Sequence, residues 1–140
     1  MKTKLLFFSL CTFISEMRIL LLIFSLLLHG CASIQGVKEL EGQGTKKVFN
    51  APYEKVWDAA LKACQTSDIE IVESNKDKGF ISAKTSVRAT SWGENIAVWV
   101  KKVSEIRTEV EVVSRKAGPA LLFHYNWEEP ILNNIEKQIQ

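Results

Sequence analysis

Apolar residues follow three different spacings along this chain, and each spacing predicts a different kind of element. From Ile19 to Leu28 they run almost unbroken, with Ser25 the one polar residue among ten. From Val56 to Cys64 they fall at helical spacing. Val56, Trp57, Ala60, Leu61 and Cys64 share one face, and Glu54, Lys55, Asp58 and Lys62 face water. Asn50-Ala51-Pro52 just before them predicts the helix start, with Asn50 as cap and Pro52 in the first turn, where a missing N–H costs nothing. Beyond Ser67-Asp68 the period shortens to that of strands. Ile69, Ile71 and Val72 predict a strand ending near Ser74, residues 75–79 are a turn by composition, and Phe80–Thr85 is the next strand.

The clearest alternation lies further on. Ile96, Val98 and Val100 alternate with Ala97, Trp99 and Lys101. After a tight connection at Ser104-Glu105, Ile106, Thr108, Val110 and Val112 form a dry row against a wet row of Arg107, Glu109, Glu111 and Val113. Lys46–Phe49 is a short strand ahead of the first helix, and residues 86–94, around Trp92-Gly93, are a loop. Ala117-Gly118-Pro119 breaks the sheet. Asn126-Trp127-Glu128-Glu129 has the form of a capping box, and Trp127, Ile131, Ile135 and Ile139 form the stripe of a final amphipathic helix. The order is strand, helix, four strands, helix. Short connections between the later strands impose antiparallel pairing, and the dry faces must cover one another. The predicted class is α+β: a two-layer β-α-β-β-β-β-α domain over residues 46–140, an antiparallel sheet packed on two helices.

The ten-residue apolar run is half the length that spans a bilayer, about 20 residues. It matches the hydrophobic region of a signal peptide, with Arg18 before it and small Gly30 at its end. Leu28-His29-Gly30-Cys31 resembles a bacterial lipobox, with His29 at a position that is usually small or β-branched. That resemblance implies cleavage between Gly30 and Cys31, a diacylglycerol on the Cys31 thiol and acylation of the new amine. It therefore implies a membrane anchor through lipid. Cys11 is excluded as a rival because Leu10 before it is too large. Residues 1–30 are thus expected to be a signal peptide. Met17-Arg18 leads directly into the apolar run and points to Met17 as an alternative start. Ala32 after the lipidated Cys resembles the signal for the outer membrane. Residues 31–45, with three glycines and few apolar positions, are expected to form a flexible tether of root-mean-square reach on the order of 20 Å.

Charge narrows the function further. Lys2, Lys4 and Arg18 among the basic residues and Glu16 among the acidic ones precede Cys31, so the remainder of the chain is formally neutral. A neutral domain lacks the basic footprint of a nucleic-acid binder. With Cys11 and Cys31 set aside, Cys64 is alone, so no internal disulfide is expected and the core must hold the domain. Cys64 lies on the apolar helix face and is expected to be a packed thiol.

Residues 48–84, from "VFNAPYEKVWDAALKAC" through "FISAK", resemble a pattern in small Gram-negative lipoproteins of an uncharacterised family. They are also similar to the helix-grip repeats of the NlpB/BamC lipoproteins. The resemblance rests on a strand, Ala51-Pro52-Tyr53-Glu54-Lys55-Val56-Trp57 opening a helix, a strand running into a charged turn, and Ile81-Ser82-Ala83; the final helix is placed alike. These motifs are structural. They imply a helix-grip-like fold and, through the envelope complexes of that group, a protein partner in the envelope.

Candidate chemistry is sparse. His124 is the one histidine beyond Cys31, and no Gly-x-Ser-x-Gly, phosphate loop or metal-ligand pair accompanies it. No catalytic residues, no metal and no cofactor are expected. Trp57 and Trp127 lie on apolar helix faces and are expected in the core. Trp99 alternates away from the dry row, and Trp92 sits in a loop, so both are expected as exposed partner contacts. The leading expectation is a non-catalytic envelope interaction or scaffold module. The alternative is a small-ligand or lipid carrier with a groove between the sheet and the last helix. An enzyme ranks third.

Overall fold

A computed structural model describes residues 35–87, 91–118 and 124–140. The signal and lipidation positions, Gly30 and Cys31 included, lie outside the described residues. A short helix α1 (Gln35–Lys38) precedes β1 (Thr45–Phe49), α2 (Tyr53–Cys64), β2 (Ile69–Asn75), β3 (Phe80–Thr85), β4 (Glu94–Ser104), β5 (Arg107–Lys116) and α3 (Glu128–Ile139). The strands form one antiparallel sheet in the order β1-β5-β4-β3-β2. The predicted α+β class and strand count are those of the structure. The first strand sits at the β5 edge because residues 50–68 cross the sheet with α2, after which β2 to β5 fold back as successive hairpins.

Both long helices cover one face. Ile81, Ala83, Ile96, Val98, Val100, Val110 and Val112 point inward against Val56, Trp57, Ala60 and Cys64 of α2 and Ile131, Leu132 and Ile135 of α3. The dry row assigned to β4 and β5 is this face, except that Ile106 falls in the two-residue hairpin turn and is 71% exposed. Burial pushes the Cys64 thiol up to about 12, which leaves it protonated and inert as a nucleophile at neutral pH.

The helix starts differ from expectation. Asn50 does not cap α2. The N-cap residue is Pro52, whose carbonyl accepts from the Val56 N–H, and Tyr53 opens the helix. At α3 the Asn126 side chain accepts from the Glu128 N–H, two residues on, rather than from Glu129.

The second face is not bare. Residues 35–44, expected to be a flexible tether, lie across it as a strap. Val37 is 2% exposed and packs with Leu40 over Phe80, Ala97, Trp99 and Val113, a second and smaller core. Trp99, expected as an exposed contact, is therefore 6% exposed, with its ring 5.6 Å from that of Phe80. Glu111 and Val113, expected on a wet row, are fully buried. The Glu111 carboxylate accepts from the Gly42 N–H at 2.6 Å and the Gly44 N–H at 3.0 Å, with Lys46 Nζ at 3.7 Å. The strap glycines are fitted positions. Gly42 has φ +91°, and a Cβ on Gly44 would stand 2.2 Å from the Val112 carbonyl oxygen. The composition that reads as loose chain is what lets the backbone lie this close to β5.

Candidate functional site

Loops converge at the end of the sheet where β3 and β5 finish and β4 and α3 begin. The residue that joins them is Glu94. It lies two positions before Ile96, so its side chain points to the inner face, where it is buried. Its Oε2 accepts from the Thr85 hydroxyl at 2.8 Å, and the same hydroxyl oxygen accepts from the Glu94 N–H. Its Oε1 accepts from Ser91 Oγ at 3.2 Å and from the Tyr125 N–H at 3.3 Å. Ser91 Oγ also accepts from the Gly93 N–H, which closes the turn. One carboxylate thus ties β3, the loop before β4 and the segment before α3.

Burial acts to raise the pKa of Glu94. The Thr85 hydroxyl, the Tyr125 N–H and the Ser91 hydroxyl outweigh it, with a further pull from the indole N–H of Trp127, which makes no hydrogen bond of ordinary geometry. The carboxyl is held below the usual carboxylate range. A group whose folded pKa is lowered stabilises the fold above its unfolded pKa and loses that contribution as the pH falls through the folded value. Glu94→Gln is therefore expected to lower the urea midpoint at pH 7. The gap from the natural protein should narrow as the pH falls from about 5 toward about 3. A constant gap across that range would show that the charge of Glu94 is not what these donors hold.

A second buried carboxylate lies at the same end. Glu128, the first residue of α3, accepts from Thr45 Oγ1 at 2.6 Å, the Ser114 N–H at 3.1 Å and the Arg115 guanidinium at 3.4 Å. It fastens the last helix to β5 and β1. Both carboxylates are occupied by donors, and a carboxylate with its lone pairs so engaged is a poor base or nucleophile. His124 Nδ1 stands 3.9 Å from Glu94 Oε1, beyond hydrogen-bond distance.

Around this polar frame lie exposed apolar side chains. Trp92 is 52% and Tyr125 57% exposed, and Val87 is exposed on the loop leaving β3. They are held in place. The Tyr125 ring meets that of Trp127 edge-on at 4.8 Å, and Trp92 lies over Gly118, where a Cβ would stand 2.5 Å from its Cγ. Fixed, exposed aromatics suit a binding surface because they lose little side-chain freedom on contact.

Of the two tryptophans expected as partner contacts, the structure leaves Trp92 exposed and buries Trp99. Sequence reasoning missed Tyr125, Glu94 and Glu128. Glu94 carried a signal, an acidic residue in phase with Ile96, Val98 and Val100. Tyr125 carried none, because its exposure depends on how the chain enters α3. Ile131, Leu132 and Ile135 fill the space between the sheet and the last helix, where a carrier would need a cavity. An open cleft of about 430 Å³ lies beside Tyr53, Lys76 and Lys102, but Lys76 pairs with Glu54 and Lys102 with Glu105. Among the described residues no group of three or more His, Cys, Asp or Glu side chains could hold a metal ion, and no helix is long and apolar enough to cross a membrane.

Comparison with known proteins adds a family. Residues 13–118 match the family described as a protein of unknown function, DUF3568, and the chain belongs to it. The matched region takes in the apolar run and Cys31 and stops before α3. No curated protein matches the chain.

Proposed function

We propose that this DUF3568 protein is a lipid-anchored bacterial envelope lipoprotein, similar in fold to the helix-grip repeats of the NlpB/BamC lipoproteins. It acts as a non-catalytic interaction module. The observation that carries the anchor is Leu28-His29-Gly30-Cys31 closing a ten-residue apolar run that is too short to span a bilayer. The family match runs through that segment. Ala32 favours the outer membrane, with the domain in the periplasm. The interaction role is supported by two exposed aromatics at the loop end, Trp92 over Gly118 and Tyr125 against Trp127, and by a domain whose buried carboxylates are engaged in holding loops together. The partner is an envelope protein that buries these rings. Fold alone assigns no partner.

The test is the intact mass of protein extracted from membranes in mild detergent, natural chain against Cys31→Ala. The natural chain is expected to begin at Cys31 and to be heavier by a diacylglycerol and an acyl chain. Cys31→Ala should lose that mass and leave the processed, membrane-bound pool. A soluble, unmodified natural chain would refute the anchor. In-membrane cross-linking from position 92 then tests the partner surface, with Lys137 on the far part of α3 as the comparison position.

A further inference from the structure

The strap changes what a lipid on Cys31 would do. Were residues 32–44 a free coil, the stretch from Cys31 to Thr45 could extend to about 50 Å, and the domain could present any face to the membrane. Val37, within α1, is instead buried on the outer face of the sheet against Phe80 and Trp99. Six residue steps separate Cys31 from Val37, a reach of at most about 22 Å whatever their conformation. A lipid on Cys31 would therefore be leashed within about 22 Å of Val37, which packs over the middle strands of the sheet on its outer face.

The surface there suits a lipid headgroup layer. Lys38 pairs with Glu73 at 2.7 Å, Lys101 with Glu41 at 2.6 Å, Lys84 with Glu70 at 3.3 Å and Lys46 with Glu111 at 3.7 Å. These four lysines are each paired with a carboxylate, so the face presents paired ionic groups rather than a basic patch. The strap covers Phe80, Trp99 and Val113 there, while Val48 on β1 is left half exposed on the same face.

Resting on the lipid-anchor reading above, we propose that the outer sheet face, strap included, is the membrane-facing surface of the domain. The strap orients it, with the helical layer of α2 and α3 turned away from the bilayer. The bilayer is the partner of this face, and a protein partner is left the helical layer and the loop end.

The experiment uses the mature lipoprotein in vesicles of phosphatidylethanolamine and phosphatidylglycerol, with one reporter cysteine per variant. Cys64 does not compete for label, being buried with a thiol pushed up to about 12. Lys84→Cys reports from the outer face and Asp58→Cys from the exposed side of α2, about 15–20 Å further out through a sheet and a helix. Quenching by headgroup-attached paramagnetic lipid is expected to be several-fold stronger at position 84 than at position 58. Inserting about twelve Gly/Ser residues after Ser33, which lengthens the leash without touching the strap, should bring the two values together. Protein that fails to float with the vesicles would overturn the anchor reading and this proposal with it. Protein that floats but is quenched equally at both positions, or more strongly at position 58, would overturn the orientation alone.

Discussion

Trp99→Ala is expected to destabilise the domain by about 3–5 kcal/mol, the range for emptying a buried aromatic site. The ring is 6% exposed, meets Phe80 at 5.6 Å and is roofed by Val37 and Leu40. Truncation removes the central member of a small cluster. Val37 then has little to pack on, and the site has few neighbours able to collapse into the void. The matched substitution Trp92→Ala, at a half-exposed ring packed over Gly118, should cost about 1 kcal/mol, well short of the Trp99 loss. Urea denaturation of both variants checks the pair. A Trp99→Ala midpoint equal to that of Trp92→Ala would mean that the strap does not close over the outer face. The contrast also separates two tryptophans that look alike as candidate contacts: loss of partner binding in Trp99→Ala would be a folding effect, whereas in Trp92→Ala it would be a surface effect.

Glu111→Ala is expected to cost about 2–4 kcal/mol. Its carboxylate is fully buried and accepts the N–H groups of Gly42 and Gly44, so its removal takes the acceptor from two part-buried donors of the strap. Hydrogen bonds to a charged acceptor contribute more than neutral ones, and the burial of an unpaired donor adds to the loss. Glu111→Gln keeps an acceptor oxygen in place and should lose less. The local consequence is sharper than the global one. With its clamp removed the strap should open, and trypsin should reach Lys38 faster in Glu111→Ala than in Glu111→Gln or the natural chain, ahead of global unfolding. Equal cleavage in all three would show that packing of Val37 and Leu40 alone holds the strap. Because Trp99 and Glu111 act on the same ten residues, the double variant should lose less than the two single losses added.

The two clusters also explain what holds together the described residues, whose one cysteine, Cys64, is a free buried thiol. The inner core carries the helices, and the outer one recruits the strap to cover a sheet face that would otherwise be half wet. Both depend on buried carboxylates placed where strands end or cross: Glu111 under the strap, Glu94 and Glu128 at the loop end. Such groups organise backbone that no ladder hydrogen bond reaches, and each is filled by donors from segments far apart in the chain.

Much of this could be read from the residues in order. Local periodicity determined the α+β class, the five strands, both long helices and most of the inner core, because a strand's alternation and a helix's stripe each depend on neighbours a few positions away. The same local reading pointed to the exposed Trp92. It failed where the second neighbour came from elsewhere. Glu111 and Val113 alternate as a wet row should, and only the return of residues 35–44 across the sheet makes that row dry. Gly36, Gly42 and Gly44 have the composition of a loose linker, and only the closeness of β5 shows that Gly44 must be small. Glu94 stands in phase with the dry row of β4 and Glu128 looks like an ordinary surface acid, but what either one holds is visible only once Thr85, Tyr125, Ser114 and Thr45 converge on them. Periodicity records which side of an element faces its own sheet. What lies on that side is decided by contacts between segments tens of residues apart, and these exist only once the chain has folded.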